Sequence, residues 1–286
     1  MTWTVKLGAY WTLIKSLQTG LLLITGLAGY MSARCPILHW TILFAVAGSL
    51  FLAISGSTVL NMVYDRDIDS RMLRTCQRPL PSGKVSSPDA LLIGLALSAS
   101  GVGWAWALLP LYGLIVFAGL FFDVVVYTLW LKRRTPYSII IGGLSGGMPT
   151  LAGRALAVGQ IDSIGVLMAL AVLFWIPTHI MTFSTRHKED YASAGVPTFA
   201  STYGVATTRT IIALSSLAAG VVMVAAAGLI GLTWGYLRLL AVLSFGLLSL
   251  AFGSLARPSE RVNLGLFKYA SVYMLGSMLL VIASGI

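Results

Sequence analysis

Apolar runs close to twenty residues long alternate with short polar segments along nearly the whole chain. A run of about 18 or more apolar residues is long enough to cross a bilayer as a helix. The pattern predicts nine such helices, over about Ala9–Met31, Trp40–Asn61, Ala90–Leu109, Leu111–Leu131, Ser138–Val158, Ser163–Phe183, Arg209–Leu232, Gly235–Gly253 and Leu266–Gly285. Proline and glycine punctuate them. Arg78-Pro79-Leu80-Pro81-Ser82-Gly83 cannot continue a helix, Pro110 marks a tight turn, Pro149 interrupts the fifth helix and the sixth contains Pro177.

Composition strengthens this picture. The chain is 57% hydrophobic and 10% charged, with a mean hydropathy of +0.88, whereas soluble domains carry about 25% charged residues. The expected fold is all-α: a polytopic membrane protein, a bundle of nine transmembrane helices, with residues 1–286 forming one domain. The first apolar run ends without a small-residue cleavage site, so no removable signal peptide is expected. Sixteen of the 19 basic residues fall on one side of the nine-helix pattern, Lys6 and Lys15 among them, with Arg34, Arg154 and Arg238 left for the other. The positive-inside rule then makes the N-terminus cytoplasmic. A net charge of +10 suits anionic lipid and an anionic substrate in such a chain, and no nucleic acid is expected as a partner. The lipid bilayer is the expected surrounding, in the cell membrane of a bacterium or archaeon. Cys35 and Cys76 match no disulfide or zinc spacing and read as free thiols.

One polar stretch stands out, Asn61 to Lys84. It follows an apolar run and carries Asp65, Asp67 and Asp69 with Arg66, Arg71, Arg74, Arg78 and Lys84. Asn61, Asp65 and Asp69 are spaced i, i+4, i+8, so on a helix they share one face. Oxygen donors of this kind suit Mg²⁺, which takes one or two carboxylates and fills its octahedron with water and substrate phosphate. The arginines can fork onto phosphate. The chemistry indicated is handling of a diphosphate at a membrane surface. A weaker echo follows the sixth helix, His187-Lys188-Glu189-Asp190-Tyr191 before Gly195-Val196-Pro197. Two such acid clusters on one face can hold a pair of metal ions around one diphosphate.

Other residues stay open to two readings each. Lys132-Arg133-Arg134 can anchor the topology and bind diphosphate together. Asp123 lies inside the fourth helix, where an acid is functional by default unless it pairs with a nearby base. His179 follows Pro177 and is a polar core residue or a contact for a heme or metal. Lys15 snorkels or faces substrate. The tryptophans and tyrosines near helix ends read as interfacial belts.

Asn61-x3-Asp65-x3-Asp69 on a nine-helix bundle resembles the intramembrane, UbiA-type prenyltransferase superfamily. Several motifs resemble its protoheme IX farnesyltransferase (heme O synthase) branch: Asp65-Arg66-Asp67-Ile68-Asp69, Met72-x-Arg74-Thr75, Arg78 to Gly83, Tyr127-Thr128-x2-Leu131-Lys132-Arg133-x-Thr135, Trp175-x-Pro177-x-His179, Asp190-Tyr191-x2-Ala194-Gly195-Val196-Pro197 and Ser271-Val272-Tyr273. Together they span nearly the whole chain. The sequence departs from the branch at Met62, Ser16, Leu17, Ser138, Thr150, Arg154, Thr178 and Thr198 to Ala200.

The resemblance implies an Mg-dependent transfer of a farnesyl group from farnesyl diphosphate to a vinyl group of protoheme IX (heme B), giving heme O. Mg²⁺ would be the cofactor, held by Asn61, Asp65, Asp69 and Asp190, which are also the catalytic set. Arg74, Arg78, Lys132, Arg133 and Lys188 would bind diphosphate, and Lys15 and His179 would touch the acceptor. A downstream heme-modifying enzyme is a further candidate partner. The alternative is a UbiA-type prenyltransferase acting on a quinone head group or an archaeal glycerol-lipid phosphate. A transporter, the reading from another class, would place its charges near the membrane midplane, whereas these acids cluster at one face.

Overall fold

The computed structural model describes residues 3–34 and 39–286, with side chains from Gly8 onward. Cys35 and the side chain of Lys6 lie outside the described residues. The described residues form helices and no strand. Seven helices are long and apolar enough to cross a membrane: α3 (Trp40–Tyr64), α5 (Ser87–Leu108), α6 (Pro110–Leu120) running on into a π-helix (Phe121–Leu131), α9 (Ser163–Arg186), α12 (Val205–Ile230), α13 (Trp234–Ala256) and α14 (Glu260–Ser284). In lipid every backbone polar group must be satisfied within the segment, which is why these apolar runs fold as helices.

Two predicted helices are each divided. The first is α1 (Trp3–Leu13) and α2 (Ser16–Met31), broken at Lys15, which takes a left-handed conformation with φ 45°. The fifth is α7 (Ser138–Gly142) and α8 (Leu144–Val158). Its break falls at Gly143, six residues before Pro149, which sits inside α8. Three short helices lie between spans: α4 (Arg66–Arg71), α10 (Lys188–Ser193) and α11 (Phe199–Tyr203).

The core has two main parts. One gathers Ala28 with buried residues of α9, α12, α13 and α14, among them Met168, Met223, Leu247 and Tyr273. The other joins α2, α3, α5, α6 and α8 through Leu50, Tyr112, Ile115 and Ala152. α2 contributes to both and packs against α8 through bare backbone. A Cβ on Gly29 or Gly153 would run into the backbone of Thr150 or Gly26. Small residues permit such close approach, which supplies packing where lipid gives no hydrophobic drive. At this end Arg154 ties α8 to Asp162, the N-cap of α9, at 2.7 Å, and to Ser32 after α2. The Asp162 carboxyl is held low despite its partial burial, because Arg154 and the Gly165 N–H donate to it.

At the opposite end two smaller clusters fasten the polar loops. Ala9, Leu13, Val59, Met62, Leu80, Val85 and Ala90 seat the segment after α4 on α1, α3 and α5. Ile68 and Met72 pack with Ala194, Val196 and Tyr191. The second cluster joins the two loops that carry the acid-rich motifs.

Candidate active site

α3 stops at Tyr64 and α4 begins at Arg66, so Asn61, Asp65 and Asp69 do not lie on one continuous helix. The i→i−4 backbone bonds nevertheless persist, Asp65 N to Asn61 O and Asp69 N to Asp65 O. The three side chains therefore stay roughly in line across the bend. Asp65 and Asp69 are buried.

Facing them is the π-helix. Its i→i+5 bonding is rare and recurs at functional sites. In an α-helix residues five apart diverge by about 140°; here the Thr128 hydroxyl donates to the Asp123 carbonyl and Lys132 N to the Tyr127 carbonyl, both five residues back. This slower turn brings Asp123, Thr128 and Lys132 onto one face. They meet Ser57, Asn61 and Asp65 of α3 rung by rung. The Ser57 hydroxyl donates to Asp123 Oδ2 at 2.5 Å, Asn61 Nδ2 donates to Thr128 Oγ1 at 2.8 Å, and Lys132 Nζ pairs with Asp65 Oδ2. Burial alone would lower the Lys132 pKa. Tyr127, Asp65 and the hydrogen bond to Asp65 outweigh it and hold the ammonium well above its ordinary value.

The remaining acids are also matched with bases. Arg78 Nη1 reaches Asp69 Oδ2 at 2.8 Å, and Arg133 grips both oxygens of Asp67 at 2.6 and 2.8 Å while donating to the Tyr64 carbonyl. The sequence reading gave Asp67 no role. Its pairing with Arg133 was not readable from spacing, because 66 residues separate the two. Asp123, read as a possible ion-pair partner, forms none of the four ion pairs among the described residues.

Arg133 holds the Asp67 carboxyl below the usual carboxylate range. A depressed carboxyl stabilises the fold above its unfolded pKa, and that contribution disappears as pH falls through the folded value. The difference in thermal midpoint between wild type and Asp67→Asn should stay flat from about pH 8 to 5 and shrink below about pH 4. Thermal unfolding in detergent across that range checks it. Asp67 is half exposed, so the stability difference behind that shift should be about 1 kcal/mol or less.

Other predicted residues take mixed positions. Asp190 accepts the Leu73 N–H at 3.1 Å, and the Ser193 hydroxyl donates to the Arg71 carbonyl at 3.3 Å, so α10 is stitched to the segment after α4. Arg74 lies over the Phe183 ring at 4.8 Å. Lys188 opens α10 and is exposed. The charge on Lys15 acts together with Arg78, Lys132, Asp123 and Asp65, which places it with the site. His179 lies deeper on α9, stacked between Trp175 at 5.0 Å and Phe267 at 5.1 Å, and its Nδ1 is buried without a partner. Trp175, His179, Phe183 and His187 repeat at four-residue spacing; Trp175 stacks on His179, and Phe183, beneath Arg74, meets His187. Cys76 is a free thiol.

Among the described residues no three His, Cys, Asp or Glu side chains gather as a ready metal cluster. The predicted ligands Asp65 and Asp69 each hold a cation of the protein instead. One observation does fit a metal: Asp65 Oδ1 is buried with no hydrogen-bond partner. A buried carboxylate oxygen without a partner is costly. An unpartnered carboxylate oxygen and the Asn61 amide oxygen, one turn earlier, are both hard donors of the kind that suits Mg²⁺.

The architecture defines a class: a multi-pass membrane protein whose acid- and base-rich site sits at one end of a helical bundle. The family model described as UbiA prenyltransferase family matches residues 22–272. Protoheme IX farnesyltransferase of Aeropyrum pernix is 41% identical over 271 residues, which cover 93% of this chain and 88% of that protein. That of Korarchaeum cryptofilum is 42% identical over 213 residues, 74% of this chain and 72% of its own. Among solved structures, one of digeranylgeranylglyceryl phosphate synthase superposes with a TM-score of 0.80 at 20% identity, covering 98% of both chains. A UbiA homolog from Archaeoglobus fulgidus bound to GPP and Mg²⁺ gives 0.71 at 17% identity, covering 96% of this chain and 99% of its own. These two likenesses establish the fold. The chain belongs to the UbiA prenyltransferase family, and is thus an integral-membrane prenyltransferase.

Proposed function

We propose that this protein transfers a farnesyl group from farnesyl diphosphate to a vinyl group of protoheme IX (heme B), producing heme O. It would do so as one nine-helix domain in the cell membrane, with its N-terminus in the cytoplasm. The observation that supports the proposal is that Asp65 pairs with Lys132 and Asp69 with Arg78 at one end of the bundle, where Asp190 also meets the segment after α4. The named relatives at 41–42% identity support heme B as the acceptor.

Arg74, Arg78, Lys132, Arg133 and Lys188 receive the diphosphate. Arg78, Lys132 and Arg133 already hold carboxylates, so each exchanges a carboxylate for a phosphate oxygen as the donor enters. Asn61, Asp65, Asp69 and Asp190 would hold Mg²⁺, which when bound neutralises charge on the departing diphosphate. As the allylic C1–O bond of farnesyl breaks, apolar side chains around the prenyl chain would keep water from capturing the cation early. The vinyl group attacks that cation, and a water adds to complete the hydroxyethylfarnesyl group. Trp175, Phe267 and the edge of His179 offer a surface for a planar acceptor, and Lys15 offers a cation for a propionate.

The test uses protein purified in detergent with farnesyl diphosphate, heme B and Mg²⁺, followed by mass spectrometry of the pigment. Farnesylated heme should form, and Asp65→Ala should reduce its rate by at least about 10²-fold. Prenylation of a quinone precursor or a glycerol-lipid phosphate, with heme B untouched, would keep the family and overturn the acceptor.

A further inference from the structure

The Ser57–Asp123 rung takes no part in holding the diphosphate, and it lies on the membrane side of the other two rungs. Among the acids at this end, Asp123 pairs with no cation. Asp65 is paired with Lys132, Asp67 with Arg133 and Asp69 with Arg78, while Asp123 receives the Ser57 hydroxyl at 2.5 Å. It is part-buried. An acid within a membrane span is costly and marks function by default. The groups facing it are Ser57 and Asp65 from α3 and its end, Lys15 from the α1–α2 break, and Tyr127 and Lys132 from its own helix.

We propose that Asp123 is the general base that takes the proton released when prenyl transfer is completed. The inference rests on the prenyl-transfer reading above. The C1–O bond of farnesyl diphosphate breaks and its electron pair leaves with the diphosphate. The terminal vinyl carbon gives its π electrons to C1, which leaves the inner vinyl carbon cationic. The oxygen of a water bonds to that carbon, and one water proton passes to a carboxylate oxygen of Asp123. Nothing is oxidised or reduced. Ser57 holds the carboxylate in place.

The experiment compares wild type, Asp123→Asn, Asp123→Glu and Ser57→Ala with farnesyl diphosphate and heme B. In Asp123→Asn, kcat should fall about 10²–10⁴-fold, the usual contribution of a positioned base, with KM for farnesyl diphosphate unchanged. Asp123→Glu keeps a carboxylate and should recover at least a tenth of the wild-type kcat. Ser57→Ala leaves every charge in place and should lose about tenfold in kcat, the equivalent of one hydrogen bond to a charged group, so it reads the proposal even if Asp123→Asn fails to fold. Near-wild-type kcat in Asp123→Asn or in Ser57→Ala, or equal losses in the Asn and Glu variants, would overturn the assignment and leave the prenyl-transfer reading intact. A wild-type enzyme that leaves heme B unmodified would overturn both.

Discussion

Lys132→Ala is expected to abolish prenyl transfer and to cost the fold about 3–5 kcal/mol, the usual result of removing one partner from a buried ion pair. The residue left behind decides the size of the effect. Asp65 is 2% exposed, and its second oxygen already lacks a partner. Without Lys132 the whole carboxylate is buried uncompensated. The double variant Asp65→Asn with Lys132→Met removes both charges and should regain most of the lost stability, because a buried pair replaced by neutral groups of similar volume is often neutral. It should regain no activity, since donor binding needs the cation and metal binding the carboxylate. Thermal unfolding in detergent and product mass spectrometry, run on the same samples, separate the two effects. Equal stability losses in the single and double variants would show that Lys132 acts through packing.

Gly153→Leu is expected to yield no folded protein. At the α2–α8 crossing the added side chain would start inside the backbone of Gly26 and Tyr30, and neither can move without separating the two helices. Overpacking a flexible side chain costs about 1–3 kcal/mol; here the obstacle is main chain, and the helix that would be displaced serves both halves of the core. Gly228→Leu is the control, because nothing lies within 4 Å of a Cβ at that exposed position. Size-exclusion profiles of the two variants give the comparison. A monodisperse Gly153→Leu peak would mean that α2 and α8 can part without loss of the bundle.

Much of this could be read from sequence, for stated reasons. Apolar runs of bilayer length demand helices, so the seven long spans appeared within a few residues of their true bounds, apart from the start of the last, which lies six residues earlier, at Glu260. The spacing of Asn61, Asp65 and Asp69 needed only the helical period, and the motif survives the bend at Asp65. The break at Lys15 escaped because it rests on a left-handed lysine, whereas sequence signals for breaks are proline and glycine. Arg154 read as a topology residue, yet it is a nearly buried clamp to Asp162 and Ser32, partners set by tertiary contact. Asp67 with Arg133 and Asp69 with Arg78 likewise form only when separate segments meet.

The π-helix escaped for a deeper reason. Three successive valines, Val124 to Val126, fill the interval between Asp123 and Tyr127, and chemically any one of them is interchangeable with the others. Their number is not. Removing a single valine would rotate Asp123 by roughly a quarter turn relative to Thr128 and Lys132, separating it from Ser57 without altering one functional side chain. The alignment of the polar rungs is therefore written in the length of the chain. This segment should drift freely among aliphatic residues over generations yet tolerate neither an inserted nor a deleted codon.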